Sequence, residues 1–307
     1  ERKRGFARLP KPDKGDIFFD MESDPMDYEG LEYLFGVYYF EKEKPCFMPI
    51  WAHNREEEKL AFTKFMDFVS NRLRKYPGAH IYHYANYEEA ALKKLMSLHG
   101  TYEAQVDNLL RTGKLIDLYK VVREGLRISE PSYSLKNVEH FYLGTRTGEV
   151  KDAGASVIYY DRWKETGDRK FLREIEDYNR DDVISTYKLR EWLLKIRPKE
   201  LPWPDCSLEN KYSENNGIDN LNAKEQLLVE YRKKLLDLPS ANHKKKDRHQ
   251  IKELTYQLLD FHRRAAKPEW WALFARSELT HDELIEDIEA IGNMTRDILI
   301  HPRNENK

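Results

Sequence analysis

Cysteine is nearly absent from this sequence, which has only two such residues, Cys46 and Cys206, among its 307 positions. Two widely separated cysteines argue against a disulfide scaffold and against a cysteine zinc site, and they fit the reducing cytoplasm. Long apolar runs are also absent. Because a helix needs about 20 mostly apolar residues to cross a bilayer, we expect no transmembrane segment.

An excess of either sign of charge is missing too. The 52 lysines and arginines nearly balance the 54 aspartates and glutamates, for a formal net charge of −2. A chain without a global basic field can contact nucleic acid only through local patches. The sequence opens with Glu1-Arg-Lys-Arg instead of a methionine or an apolar leader, so we expect no signal peptide and a fragment of a longer protein.

The spacing of apolar residues predicts a mixed α/β domain. Three apolar segments, residues 16–23, 31–40 and 46–52, are joined by short polar connections, which predicts an antiparallel meander. A helix, a further strand and more helices follow, and a long amphipathic helix without internal glycine or proline is predicted at residues 168–196. This order predicts a mixed sheet flanked by helices.

The same patterns predict the domain organisation. Residues 1–14 are basic and contain proline, which indicates an arm or linker. Residues 15–204 make up the predicted α/β domain, which Leu201-Pro-Trp-Pro204 closes. Strand patterns are missing after that point, and helical periodicity at 224–236 and 249–264 predicts an α-helical extension or connector over residues 205–307.

Two carboxylates, Asp20 and Glu22, lie near the end of the first predicted strand. Residues two apart on a strand point to the same face, so these acids project side by side and repel each other. A divalent cation relieves that repulsion, and hard oxygen ligands suit Mg²⁺ or Mn²⁺. Alone, this pair is more typical of a solvated strand edge than of a metal site, so the metal hypothesis needs further acids.

Two later segments supply such acids. Glu88 begins a predicted helix just after a strand, where open α/β sheets bind ligands. The alternative, which we accept for Glu89, is a favourable interaction with the helix dipole. Tyr178 and Asp182 are four apart on the long helix and share one face, whereas Asp181 lies about 100° away and is expected to point aside. For these aspartates the alternative is an ion-paired helix surface.

Taken together, these segments resemble the three motifs of the DEDD exonuclease superfamily in its tyrosine subtype, whose members have an RNase H-like fold. Glu88 stands where aspartate is more usual, and His83 stands where that family has asparagine. The matching segments are Asp20-Met-Glu22, Tyr87-Glu88 and the Tyr-x-x-x-Asp of Tyr178 and Asp182.

Connecting segments look closest to the YprB-type RNase H-like nuclease domain, which occurs between a RecB-like nuclease region and a superfamily-one helicase. They include Tyr133-Ser-Leu-Lys136 and residues 178–186, and the resemblance covers about residues 12–200. Phe261-His-Arg-Arg264 also looks like the segment that precedes the helicase. No Gly-x-x-x-x-Gly-Lys-Ser/Thr sequence occurs, so the chain itself carries no P-loop.

The resemblance implies a metal-dependent 3′–5′ exonuclease that acts on single-stranded nucleic acid, most simply DNA, through two divalent ions, Mg²⁺ or Mn²⁺. It implies a helicase domain or RecB-like region of a longer chain as partner. Two alternatives stay open: an exoribonuclease of the same fold, and a non-catalytic nucleic-acid-binding or docking module of a helicase-nuclease. The implied metal ligands are Asp20, Glu22, Glu88 and Asp182, and Tyr178 is the implied residue that orients the attacking water.

Other side chains are candidates for substrate contact. Three aromatic residues are suited to stacking on bases, and four cations are suited to phosphate. The alternatives are packing at the rim for the aromatic residues and a solvated surface for the cations. The candidates are Tyr28, Tyr84, Tyr87, Arg123, Arg127, Lys136 and Arg146.

Overall fold

The computed structural model describes residues 4–28, 30–143 and 153–204, together with scattered helical positions between 227 and 284. Apart from the first two residues, the chain divides into two compact units, Lys3–Glu214 and Asn215–Lys307. The fold described below is that of the first unit. Within the helices predicted at 224–236 and 249–264 only scattered positions are described, and all of those positions are helical. The predicted domain boundaries stay predictions.

A five-stranded mixed sheet forms the centre of the first unit. Its order is β3-β2-β1-β4-β5, in which β1, β2 and β3 pair antiparallel, while β4 and β5 run parallel to β1. The prediction of an α/β fold with an antiparallel meander and additional parallel strands is therefore confirmed. The strands are β1 (Ile17–Asp24), β2 (Leu31–Glu41), β3 (Lys44–Trp51), β4 (Ile81–His83) and β5 (Leu115–Asp117).

Helices cover the sheet, and local signals set several of their ends. The Asn54 side chain accepts a hydrogen bond from the Glu57 amide at the first helix, and Gly100 ends the second helix at a φ of 58°. Asn86 occupies the cap position of the second helix, but its side chain makes no cap hydrogen bond. The helices are α1 (Arg55–Lys75), α2 (Tyr87–His99), α3 (Glu103–Arg111), α4 (Leu118–Gly125), α5 (Leu135–Val138), α6 (Ala153–Thr166) and α7 (Arg169–Ile196).

The apolar segment 115–122 fits either a strand or a helix by its sequence, and the structure divides it between β5 and α4. Asp117 marks the division, because its Oδ1 accepts hydrogen bonds from the amides of Tyr119 and Ala85, both at 2.9 Å. The first bond caps α4, and the second ties the end of β4 to the end of β5. One carboxylate thus ends the strand and starts the helix.

The central strand β1 is covered on both faces. Phe19 stacks on Phe65 of α1 with ring centroids 4.2 Å apart, whereas Phe18 makes an edge contact with Tyr187 of α7 at 5.1 Å. Side chains alternate along a strand, so the odd-numbered residues of β1 face α1 and the even-numbered residues face α7. Both predicted metal-binding acids of β1 are even-numbered and therefore face α7.

The amino-terminal segment is attached to the first unit from Gly5 onward. Residues Gly5–Arg8 form a 3-10 helix, the Gly5 amide donates to Glu124 of α4 at 2.7 Å, and Arg8 forms an ion pair with the same carboxylate at 2.8 Å. Leu9, which follows, is fully buried. The sequence predicted an arm or linker in this region and gave no sign that it packs against α4. Within the described ranges, no helix has the length and apolar character needed to cross a membrane.

Candidate metal centre

The carboxyl ends of β1 and β4 meet at one edge of the sheet because these two strands are parallel. Asp20 and Glu22 lie near the end of β1, and Glu88 lies in the first turn of α2, directly after β4. Open α/β sheets bind ligands at such an edge. The helix α7 packs against β1 and β2 and brings Asp182 to the same place.

A buried ion pair fixes how far α7 lies along β1. Arg190 donates to Asp16 at 2.7 Å, and both side chains are buried. From Asp16 to Asp20 is four strand residues, about 13 Å, and from Arg190 to Asp182 is eight helix residues, about 12 Å. These lengths match, so the pair at one end of the helix places Asp182 beside Asp20.

Three of the four predicted ligands lie close together in the structure. Carboxylate oxygens of Asp20, Glu22 and Asp182 all lie within 4.8 Å of one another. Glu22 and Asp182 are buried, and Asp20 is partly exposed. A cluster of this size has the spacing of oxygen ligands around one divalent ion.

The acids perturb one another strongly. Burial, followed by the charges of Asp182, Glu22 and Glu88, raises the pKa of Asp20 well above its ordinary value. Burial and the charge of Asp182 raise the pKa of Glu22 to about 8. Without a cation, such a cluster holds protons at neutral pH. A divalent ion would take the place of those protons, so these residues fit a metal on chemical grounds.

Glu88, the fourth predicted ligand, is not part of this cluster of three but lies next to Asp20. It is buried, and its carboxyl group is in hydrogen-bonding contact with that of Asp20. Its Oε2 lies 3.4 Å from Nδ1 of the buried His83, which donates to the Ala85 carbonyl at 2.7 Å. Although burial lowers the pKa of His83, the hydrogen bond and charge of Glu88 raise it overall. By contrast, Glu89 pairs with Lys93.

Tyr178 is buried one helical turn before Asp182, while Asp181 is exposed, as the four-residue spacing predicts. The Lys136 ammonium lies 4.7 Å from the centre of the Tyr178 ring. It is also close enough to Glu22 to lower the pKa of that carboxyl, although burial and Asp182 outweigh it. Lys136 therefore places a positive charge beside both the phenol and the acidic cluster.

Two residues that hold the acids were not singled out from the sequence. Asn179 Nδ2 donates to Asp20 Oδ2 at 2.7 Å, and the Ser156 hydroxyl hydrogen-bonds to Glu22 and lies 2.5 Å from the Tyr33 hydroxyl. Asn179 is three residues before Asp182 and shares its helix face, which is a usable signal. Ser156 lies on α6 and carries no comparable signal in the sequence.

The candidate substrate contacts differ in their exposure. Tyr28 is 86% exposed, and Tyr87 is 42% exposed with its hydroxyl donating to Glu32 at 2.7 Å. Tyr84 is partly buried and donates to the Tyr133 carbonyl. Arg146 lies outside the described residues.

Comparison with known families agrees with this architecture. A family model described as the RNase H superfamily matches residues 17–194. This match covers more than half of the chain and includes every predicted site residue. The chain therefore belongs to the RNase H superfamily. Searches among curated proteins and among solved structures return no match.

Proposed function

We propose that this member of the RNase H superfamily is a metal-dependent nuclease, namely a 3′–5′ exonuclease of the DEDD tyrosine subtype that hydrolyses single-stranded DNA. The observation that carries the proposal is the convergence of Asp20, Glu22 and Asp182, whose oxygens lie within 4.8 Å of one another. These acids come from two elements far apart in sequence. A buried cluster of like charges is costly to fold, and binding a cation for chemistry accounts for it.

The four acids have distinct places in this proposal. Asp20 belongs to the cluster with Glu22 and Asp182 and also contacts Glu88, so it is the residue that could serve two ions. Glu22 and Asp182 would complete the ligands of one ion, and Glu88 would support the other. When bound, two ions of Mg²⁺ or Mn²⁺ supply activation of the attacking water and stabilisation of the leaving oxygen.

Three further side chains act on the attacking water or on the substrate. The Tyr178 hydroxyl orients the attacking water by hydrogen bonding, since the phenol is buried beside the acids. The Lys136 ammonium, next to the Tyr178 ring, contacts the scissile phosphate and balances its negative charge. The exposed ring of Tyr87, adjacent to Glu88, stacks on a base of the single strand.

Purified protein on end-labelled oligonucleotides tests the proposal. With Mg²⁺ or Mn²⁺, single-stranded DNA labelled at its 5′ end is expected to shorten stepwise from its 3′ end. A 3′-phosphorothioate linkage should slow this reaction. EDTA should abolish it because EDTA removes the divalent ions, and Asp20→Asn should abolish it because the substitution removes the charge of a metal ligand.

Other outcomes contradict particular parts of the proposal. Cleavage confined to RNA identifies an exoribonuclease, and cleavage of circular single strands identifies an endonuclease. Binding to single-stranded DNA without cleavage under any metal condition identifies a non-catalytic module and refutes the enzymatic assignment.

A further inference from the structure

The side chain of Asn179, on α7, is fully buried against strands β1 and β2. Its Nδ2 donates to Asp20 Oδ2 at 2.7 Å, across 159 positions of sequence. The same amide lies close enough to Glu22 to stabilise the charge of that carboxylate. One amide of α7 therefore contacts both acids of β1, and it lies one turn before Asp182 on the same helix.

Gly36 makes the space for this amide. It pairs directly with Asp20 across the β1–β2 register. A Cβ on Gly36 would lie 1.6 Å from Asn179 Oδ1, and the three nearest atoms to that Cβ all belong to Asn179. The strand accommodates the asparagine only because position 36 has no side chain.

Packing alone does not account for an asparagine at this place. Its Oδ1 is buried and has no hydrogen-bond partner in the described part of the chain. An unsatisfied buried acceptor costs free energy, and an apolar side chain of similar size would fill the same volume without that cost. An apolar residue at position 179 would lack the Nδ2 donor, so the hydrogen bond to Asp20 is what asparagine adds at this place.

We infer that Asn179 is a positioning residue, whose amide holds the Asp20 carboxylate in the orientation that binds the divalent ions of the proposed nuclease site. The inference rests on the proposed function. With Oδ2 held by Asn179, rotation of the Asp20 carboxylate beside Glu22 and Asp182 is restricted. Hydrogen-bonding partners of metal ligands typically change metal affinity 10- to 100-fold when they are removed.

Variants at positions 36 and 179 can fill the same space without the amide donor. They therefore distinguish a positioning role of Asn179 from a packing role. Gly36→Ala alone should displace the amide. The double variant Gly36→Ala, Asn179→Ala returns a methyl group to the vacated space without returning the donor. Asn179→Leu fills the original space with an apolar side chain and needs no change at position 36.

Mn²⁺ binding measured by electron paramagnetic resonance, together with the thermal midpoint in EDTA, distinguishes the two roles. We expect the double variant and Asn179→Leu to unfold within a few degrees of wild type and to bind Mn²⁺ about 10- to 100-fold more weakly. Asn71→Leu, at an exposed asparagine of α1, should change neither value.

Wild-type Mn²⁺ affinity in either folded variant would overturn the inference, because it would show that the amide only fills space. A wild-type protein that binds no Mn²⁺ overturns the proposed metal site and this inference together. A wild-type protein that binds Mn²⁺ in an Asp20-dependent manner but cleaves no nucleic acid overturns the proposed nuclease activity alone.

Discussion

Replacing Asp182 with asparagine should stabilise the metal-free protein while it abolishes cleavage. The Asp182 carboxylate lies within 4.8 Å of both Asp20 and Glu22. At an effective dielectric constant of about 20, two like charges at this distance repel by roughly 3 to 4 kcal/mol. Protonation of the neighbours already relieves part of that repulsion, so we expect a gain of about 2 kcal/mol at pH 8 in EDTA.

That gain has a measurable thermal consequence. In a unit of this size, 1 kcal/mol shifts the midpoint of unfolding by about 2 to 4 °C, so Asp182→Asn should raise the midpoint by about 4 to 8 °C. Mg²⁺ should raise the midpoint of wild type and should have little effect on the variant, because ligand binding stabilises only a protein that binds it. Cleavage should fall by orders of magnitude.

Asp181→Asn is the matched control. Asp181 is the neighbouring residue on α7 and is exposed, so its replacement removes the same charge outside the cluster. It should change the thermal midpoint by less than about 2 °C and leave cleavage near wild type. If Asp181→Asn abolishes cleavage while Asp182→Asn leaves it intact, or if Asp182→Asn lowers the midpoint in EDTA, the site has been assigned to the wrong residues.

Two further predictions concern pH and domain organisation. The ordinary pKa of a glutamate is 4.5, and that of Glu22 is raised to about 8, so the folded metal-free protein keeps a proton that the unfolded chain releases. Up to about 5 kcal/mol of stability is therefore present below pH 4.5 and lost as the pH rises through 8, and melting curves in EDTA that do not change with pH would contradict this. A truncated protein that ends at Pro204 should unfold cooperatively and keep the nuclease activity, whereas a loss of cooperative unfolding would show that later residues complete its core.

Local periodicity in the sequence determined the main elements. The alternation in β1 places Asp20 and Glu22 on one face, and the four-residue spacing on α7 selects Asp182 over Asp181. These relations extend over a few residues of one strand or helix. They depend on backbone geometry alone, which is why a single sequence reveals them.

The regular pairing of β2 is interrupted, whereas that of β1 is not. The β1–β2 pairing shifts register between Glu22 and Ser23, and Tyr33 of β2 is left without a partner residue on β1. Asp24 still faces α6, as Glu22 does, because it forms an ion pair with Lys164 of α6 at 2.7 Å. The sequence carries no clear mark of this bulge in β2.

The parts of the site that only the tertiary structure decided all depend on contacts between distant segments. Asn179 reaches Asp20, and Ser156 reaches Tyr33 across 123 positions, because helix packing brings their elements together. The contact of His83 with Glu88 depends on the turn between β4 and α2, which Asp117 of β5 holds in place. The carboxylates themselves could be identified by their local spacing. The hydrogen bonds that orient them could not, because each depends on how strands and helices far apart in the chain pack in three dimensions.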